Sequence, residues 1–294
     1  MVFAWFKTLP GKSRQQQLKK LFLKHFYMNK DRRKFLAQAA TISGIGLLSP
    51  LELLAAQTAD STEYQYPNPA ERPKALFFDI NETVLNLEPL KVSINTVLGN
   101  KPGLATLWFT TMLQYSLVVT AAGKYEDFGA IGAAALLMVA KNNGIALTQE
   151  QAKNAIKPIL NLQPHPDVVS SLKKLKANGY KLVSFTNSSN KAVKTQLENA
   201  GLSAYFEQQL SIEDIGKFKP HTDAYNWAAK KLNLQNKDCM LIAAHGWDVA
   251  GAAWSGWRTA FIARPGQQLF PLAPEVEINE PNLTAIADKL CALK

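Results

Sequence analysis

Residues 75–85 read Ala-Leu-Phe-Phe-Asp-Ile-Asn-Glu-Thr-Val-Leu, and this stretch decides the fold. Its first four residues, Ala75–Phe78, are all apolar, which is the pattern of a strand whose two faces are both covered by helices. Polar residues follow at once, beginning with Asp79. Ligands of open parallel sheets bind beyond the carboxyl ends of the strands. The stretch therefore predicts a buried first strand that delivers polar side chains to a crevice.

Three further apolar runs predict strands of the same sheet: Lys181–Phe185, Met240–Ala244 and Thr259–Ala263. Helical patterns lie around and between them, at Asp167–Asn178, Lys191–Ala200, His221–Leu232 and Val249–Gly256. Gly179 and Gly201 follow two of these helices at C-cap positions. This alternation predicts an α/β fold with a doubly wound parallel sheet.

The segment from Pro89 to Pro166 breaks the alternation, because its patterns are helical only. Helices are predicted at Leu104–Thr120, Glu126–Asn142 and Thr148–Leu160, the last with Thr148 and Gln151 as a capping box. We therefore expect a helical cap inserted after the first strand. The predicted domains are a core of residues 74–88 and 167–294 and a cap of residues 89–166.

The positive charge of the chain is concentrated near its N-terminus. Residues 1–59 carry ten of the 33 Lys and Arg residues and two of the 23 Asp and Glu residues, so most of the net charge of +10 belongs to this leader. The rest is nearly neutral, and nucleic acid is not an expected partner. The two cysteines, Cys239 and Cys291, lack metal-ligand spacing and are expected to be small buried or half-buried side chains.

The leader has the features of an export signal. Residues 30–36 read Lys-Asp-Arg-Arg-Lys-Phe-Leu, and a moderately apolar stretch follows to residue 56. Adjacent Arg32 and Arg33 resemble a twin-arginine signal, which implies the twin-arginine export machinery as a partner and a periplasmic location. An uncleaved leader acting as a membrane anchor is the alternative. Residues 60–73 contain three prolines and are expected to be an extended linker.

Polar residues at the predicted strand ends form four motifs in a recognisable order. They are Asp79-Ile80-Asn81-Glu82-Thr83, Ser184-Phe185-Thr186-Asn187, Lys219-Pro220 and His245-Gly246-Trp247-Asp248. This set resembles the haloacid dehalogenase-like hydrolases over roughly residues 74–290. The resemblance implies a Rossmann-like core with a helical cap, in agreement with the patterns above. It also implies that Asp79 is a nucleophile that becomes transiently esterified.

Each of these residue types suits that chemistry. A carboxylate nucleophile splits one difficult displacement into two easier steps. Lys219 would hold Asp79 ionised by its charge. Thr83, Thr186 and Asn187 could donate hydrogen bonds that orient the carboxylate, although ordinary turn roles remain open for the last two. Asp248 would position or activate the water that cleaves the ester, with His245 either assisting or serving as a structural imidazole.

Two positions favour the type II 2-haloacid dehalogenase branch over the magnesium phosphatases of the same superfamily. Phosphatases keep an acid two residues after the nucleophile and a metal-binding acid four residues before the last aspartate, where this chain has Asn81 and Ala244. An amide cannot act as a general acid, and alanine offers no ligand to magnesium. The resemblance therefore implies hydrolysis of a small organic acid without a metal or other cofactor, with Asn81 among the substrate-binding residues. Tyr225 would either seat the substrate carboxylate or pack in the core.

One departure from that branch concerns substrate recognition. The best-known members carry a cap arginine that binds the substrate and the departing halide, and the matching position here is Phe109. A family serine is also replaced, by Ala243. Loss of the cation predicts a different leaving group or a larger, more apolar substrate. A phosphatase and a non-catalytic periplasmic binding protein stay open as alternatives, as does a homodimeric assembly.

Overall fold

The computed structural model describes residues 71–293. The predicted leader and most of the predicted linker lie outside these residues, so export, membrane anchoring and the domain boundaries stay predictions. So does the homodimer, since one chain is described.

The core is a sheet of six parallel strands, in the order β3-β2-β1-β4-β5-β6. The first strand is interior, because Leu76 is in register with Leu182 on one side and Phe77 with Leu241 on the other. The strands are β1 (Ala75–Phe78), β2 (Leu182–Thr186), β3 (Gln208–Ser211), β4 (Cys239–Ala243), β5 (Arg258–Ile262) and β6 (Ile278–Glu280). The predicted doubly wound α/β fold is confirmed.

Only helices connect β1 to β2. They are α1 (Glu88–Val97), α2 (Leu104–Ala121), α3 (Phe128–Asn142) and α4 (Gln149–Ile156), followed by a 3-10 helix at Lys157–Asn161 and by α5 (Val168–Ala177). The capping box of α4 forms as predicted, with Thr148 and Gln151 each bonded to the other's backbone N–H. The remaining helices flank the sheet, at α6 (Asn190–Asn199), α7 (Thr222–Lys231), α8 (Gly246–Trp254) and α9 (Leu283–Ala292).

Two strands and two α-helices were not predicted from the sequence. β3 reads Gln-Gln-Leu-Ser and has no apolar run, while β6 has three residues, too few for a pattern. Helices α1 and α9 were also missed. The predicted elements are otherwise present with boundary shifts of a few residues, an ordinary uncertainty at helix and strand ends. Cys239 and Cys291 are free thiols, the first buried and the second half-buried.

An aromatic layer packs beneath the carboxyl end of the sheet. Phe77 lies 4.5 Å from Trp257 between ring centroids, and Phe185 and Tyr225 meet edge to face at 5.8 Å. These side chains are buried. They form an apolar floor below the strand ends, so charged groups placed above them are shielded from water.

Candidate active site

Asp79 follows β1 directly and is 5% exposed. Its Oδ2 accepts a hydrogen bond of 2.7 Å from the hydroxyl of Thr83, which in turn accepts one of 2.9 Å from the backbone N–H of Ala244. Its Oδ1 lies 3.1 Å from the ammonium of Lys219. The carboxylate is therefore held in one orientation by partners from three separate segments.

Lys219 is the central cation of the site and its side chain is fully buried. Besides Asp79, its ammonium donates to Asp248 Oδ2 at 2.6 Å and to the backbone carbonyl of Phe185 at 2.9 Å. An ammonium has three protons, and three acceptors surround it here. Lys219 therefore joins the ends of β1, β2 and β4 at one point.

Charge proximity keeps Asp79 ionised despite its burial. Burial alone would raise the pKa of Asp79, but the Lys219 ammonium and the His245 hydrogen bond bring the pKa well below its ordinary value. Burial would likewise lower the pKa of Lys219, and the carboxylates of Asp248 and Asp79 raise it instead. The pair is therefore ionised at neutral pH, as a carboxylate nucleophile requires.

Asp248, in the first turn of α8, faces the same ammonium but is not exposed to the cavity. Its Oδ1 accepts a 2.6 Å hydrogen bond from the hydroxyl of Tyr225. Burial raises the pKa of Asp248, an effect that Lys219 partly offsets and the charge of Asp79 reinforces. A carboxylate with a raised pKa accepts a proton more readily, which suits it to act as a base.

Tyr225 lies outside the cavity lining, whereas one expectation from the resemblance was that it seats the substrate. Its side chain is fully buried among Phe185, Trp257 and Asp248, and it does not line the cavity. Its contribution is to hold Asp248. Periodicity could not separate these roles, since a helix position buried under a site has the same spacing as one facing the site.

We expect Gly251→Ala to destabilise the protein by about 1–3 kcal/mol, the ordinary cost of overpacking. A Cβ at Gly251 would lie 2.4 Å from Pro220 Cβ and 2.7 Å from the Tyr225 hydroxyl. Either Pro220 or Tyr225, which holds Asp248, must therefore move. Gly132→Ala is the matched control, because there the nearest atom is the flexible Met112 sulfur at 3.1 Å. Urea unfolding of both variants measures the difference, and equal midpoints would contradict the expectation.

His245 connects Asp79 to a second acid, Glu82, which the sequence reasoning missed. Its Nδ1 lies 3.2 Å from Asp79 Oδ2 and its Nε2 lies 3.1 Å from Glu82 Oε2. Burial would lower the pKa of His245, but the hydrogen bonds with Asp79 and Glu82 raise it to about 9. The ring is therefore an imidazolium at neutral pH. The position of Glu82, three residues after the nucleophile in a site loop, was the available signal.

Thr186 and Asn187 do not bond to Asp79 as expected. The hydroxyl of Thr186 accepts from the backbone N–H of Ser188 at 3.1 Å. Asn187 exchanges two hydrogen bonds with the backbone of Lys219 and so positions that lysine. Asn81 is bound on both sides of its amide, donating to the Ser188 hydroxyl and accepting from Gln196. Among the three orienting residues named from the sequence, only Thr83 contacts the nucleophile.

A cavity of about 230 Å³ opens beside Asp79. Asn81, Thr186, Asn187, His245 and Phe109 all line it, as expected of substrate-binding residues, together with Ser188 and Ser189 at the start of α6. Apart from the charged residues Asp127, Lys153 and Lys157, most of the remaining wall is apolar and comes from the segment between β1 and β2: Leu87, Leu90, Trp108, Met112, Leu113, Phe128, Ile156, Ile159 and Leu160. The cavity therefore has one polar end at the nucleophile and an apolar body.

Phe109 brings the cap into contact with the core. Its ring stacks on His245 at 5.8 Å between centroids, and Trp247 stacks on the same imidazole at 5.2 Å. The indole N–H of Trp247 is buried and has no hydrogen-bond partner within residues 71–293. The core imidazolium therefore supplies a cation at this side of the cavity, and Lys153 and Lys157 of the cap also line the cavity.

The donor set around Asp79 does not suit a divalent cation. Within residues 71–293, no three His, Cys, Asp or Glu side chains are placed to hold a metal ion. Asp79 Oδ1 and Asp248 Oδ2 both face the Lys219 ammonium, and Ala244 offers no side-chain oxygen. Two carboxylate oxygens already neutralised by lysine would make a poor site for magnesium.

Comparisons with known proteins agree with this geometry. The family profile of the haloacid dehalogenase-like hydrolases matches residues 73–256. The chain is 26% identical over 204 residues to (S)-2-haloacid dehalogenase 1 of Pseudomonas sp. (strain CBS-3), covering 69% of this chain and 90% of that protein. It is 23% identical over 194 residues to (S)-2-haloacid dehalogenase H-109 of Pseudomonas putida, covering 66% and 87%.

Solved structures give the same result for the fold. The chain superposes on L-2-haloacid dehalogenase from Xanthobacter autotrophicus with a TM-score of 0.68 and 20% identity, covering 75% of this chain and 99% of that one. The sheet and the inserted helices of this chain therefore match nearly the whole length of that solved structure.

Proposed function

The chain belongs to the haloacid dehalogenase-like hydrolases, and from that premise we propose that it is a hydrolytic dehalogenase of 2-haloacids that works through an ester on Asp79. The observation that carries the proposal is the state of Asp79, which is ionised and fixed at the wall of a largely apolar cavity by Lys219 and His245. The names of the relatives above support the same reaction class.

The first step follows from the orientation of the carboxylate. Asp79 Oδ2 accepts two hydrogen bonds, from Thr83 and His245, whereas Oδ1 faces only Lys219. Oδ1 therefore keeps the more available electron pair and attacks C2 of the acid. The carbon–halogen bond breaks with inversion and the halide leaves as an anion. The unpartnered indole N–H of Trp247 is a donor available to that anion.

Water then cleaves the ester at the Asp79 carbonyl carbon. Asp248 does not line the cavity, so this water must enter between Asp79 and Asp248 beside Lys219; Asp248, with its raised pKa, then accepts a proton from it. The bond from the carbonyl carbon to Oδ1 breaks, and Oδ1 departs as the hydroxyl oxygen of the 2-hydroxyacid after taking that proton from Asp248. The water oxygen remains in the Asp79 side chain, and the second proton of that water leaves for solvent, since the lowered pKa of Asp79 restores its carboxylate. The substrate carboxylate would meet Ser188 and Ser189, which line the cavity at the start of α6.

The size and lining of the cavity support an acid larger than haloacetate. A cavity of about 150 Å³ is enough to hold benzene, and this one has about 230 Å³. Phe109 stands where the resemblance implies a substrate-binding arginine. We therefore propose 2-halo acids with an apolar substituent as substrates.

The test is halide and 2-hydroxyacid release by the full chain from 2-bromoacetate, 2-bromobutanoate, 2-bromohexanoate and 2-bromo-3-phenylpropanoate. We expect kcat/KM to rise about fourfold per added methylene, the value of burying about 0.8 kcal/mol per CH₂. Leu113→Asn, at the cavity wall, should reduce the rise of kcat/KM along this series of substrates. Leu117→Asn, on the exposed side of the same helix, should not.

Other outcomes of the same assay identify the alternatives. Magnesium-dependent release of phosphate from an aryl phosphate, without halide release from any bromoacid, would indicate a phosphatase. Binding of a bromoacid without turnover would indicate a binding protein. A series in which bromoacetate is the best substrate would keep the reaction but overturn the proposed substrate class.

A further inference from the structure

Glu82 is a buried acid for which the mechanism above has no role. It is 5% exposed and has φ +65°, an uncommon conformation for a residue other than glycine. Its carboxylate contacts the Lys91 ammonium at 2.5 Å, the Gln267 amide at 2.9 Å and His245 Nε2 at 3.1 Å. A buried acid in an uncommon backbone conformation persists only where the surroundings over-determine it. Here three partners do so.

The two acids flanking His245 determine its protonation. Both ring nitrogens face carboxylate oxygens, and a neutral imidazole has a proton on only one nitrogen. Both contacts are hydrogen bonds only if the ring is doubly protonated, which agrees with its raised pKa of about 9. The stacked rings of Phe109 and Trp247 allow the ring little room to turn away.

We propose that Glu82 is a positioning residue that fixes His245 as a cationic donor to Asp79 Oδ2, the oxygen that becomes the ester carbonyl. This inference rests on the proposed function. Once Oδ1 is bonded to C2, Oδ2 is the only carbonyl oxygen of the ester. Its donors, the Thr83 hydroxyl and His245 Nδ1–H, are already in place. Together they form an oxyanion hole for the second step.

The chemistry of that step places negative charge where these donors lie. Attack of water on the carbonyl carbon moves an electron pair onto Oδ2, and Asp248 accepts the water proton. Collapse of the intermediate returns the electron pair, breaks the bond to Oδ1 and releases the hydroxyacid, which takes the proton from Asp248. The second water proton then leaves the Asp79 carboxyl group for solvent. His245 keeps both protons throughout. Its charge stabilises the oxyanion more than the neutral ester, so it accelerates hydrolysis specifically.

The charged groups around His245 come from several elements. Asp79 and Glu82 contact the ring nitrogens. Behind these acids lie Lys219, before α7, and Lys91 of α1, while Asp248 of α8 lies beyond Lys219. Phe109 of α2 and Trp247 of α8, which stack on the ring, are uncharged. Within residues 71–293, the two carboxylates that contact the ring are those of Asp79 and Glu82. Asp79 is converted to the ester, so only Glu82 remains a carboxylate beside the ring during the second step.

The decisive variant is Glu82→Gln in the full chain, studied by rapid quench with the best bromoacid of the series. We expect the rate of the halide burst to change by less than about threefold. Hydroxyacid release should slow about tenfold to a hundredfold, which is less than the loss caused by removing an oxyanion donor altogether. In the wild type the hydrolysis rate falls as pH rises through about 9, where His245 loses its proton. In Glu82→Gln that fall should move to lower pH by a unit or more.

A second measurement does not depend on turnover. Nitrogen-15 NMR of the histidine side chains follows the protonation of His245, assigned with His245→Gln. A wild-type ring doubly protonated up to pH about 9, and one that titrates lower in Glu82→Gln, supports the inference even if no bromoacid is a substrate. Glu82→Asn, a residue type that adopts positive φ readily, replaces Glu82→Gln should the latter fail to fold.

Two results would overturn the inference. One is identical titration of His245 in the wild type and in Glu82→Gln. The other is an equal slowing of halide and hydroxyacid release, since a merely structural defect would act on both steps. Glu88→Gln, an exposed acid at the start of α1, is the matched control and should leave both steps and the pH profile unchanged.

Discussion

Asp79→Asn should abolish turnover, with a loss of more than about 10⁴-fold, the scale on which removing a nucleophile acts in other covalent hydrolases. An amide at this position has no anionic oxygen to attack C2. The fold should survive, because asparagine fills the same space and its one amide oxygen can still accept from either Thr83 or Lys219. The measurement is halide release by the full chain. Asp288→Asn, at an exposed carboxylate on α9, is the matched control.

The isotope pattern separates this mechanism from direct attack by water. One turnover of the wild type in heavy-oxygen water should place the label in the Asp79 side chain and none in the hydroxyacid. Mass spectrometry of the peptide containing residues 75–85 reads the label. Label in the product of the first turnover would show that water attacks C2 itself, and the ester mechanism would then be wrong.

The second large effect should come from Lys219→Met. Removing one partner of a buried ion pair costs about 3–5 kcal/mol, because the remaining charges lose their compensation. Here two carboxylates, Asp79 and Asp248, would share one buried space without a cation. One of them should take up a proton. We expect a lower free energy of unfolding at neutral pH and no detectable turnover. Lys217→Met is the control, since Lys217 pairs with Asp223 at the surface, where ion pairs contribute little.

The destabilisation caused by Lys219→Met should depend on pH in a definite direction. In the wild type, the lowered pKa of Asp79 contributes stability that is present above the unfolded pKa and is lost as pH falls through the folded pKa. In Lys219→Met the buried acids have raised pKa values, so the variant gains stability as pH falls. The difference in free energy of unfolding between the wild type and the variant should therefore become smaller towards pH 5. A difference that is constant with pH would mean that lost packing, and not charge, causes the destabilisation.

Sequence reasoning was sufficient for the parts of the site that carry strong local signals. The apolar run before Asp79, and the order of the motifs ending at Lys219 and Asp248, brought three distant segments to one crevice. The structure places Lys219 between both acids. These are consequences of parallel strands, whose carboxyl ends share one edge of the sheet. They required no knowledge of side-chain conformations.

The parts that were missed depend on contacts across the chain. Tyr225 could equally have faced the cavity or the core, and only packing against Phe185 and Trp257 decides. Glu82 has only its place near the nucleophile as a signal in sequence, since its role comes from contact with His245 beyond β4. Thr186 and Asn187 were placed at the correct strand end but with the wrong partners. The choice among hydrogen-bond partners a few ångströms apart lies below what periodicity and spacing can resolve.

The interior place of β1 also has a consequence for how the protein folds. The strand pairs Leu76 with Leu182 and Ala75 with Cys239. Its hydrogen bonds can therefore form only after these later segments of the chain have been synthesised. Pairings between residues this distant raise the contact order, and folding slows as contact order rises. On the ribosome Asp79 is an ordinary solvated acid until β4 has emerged. The reactive carboxylate is thus created by the completed topology, and a truncated nascent chain contains none.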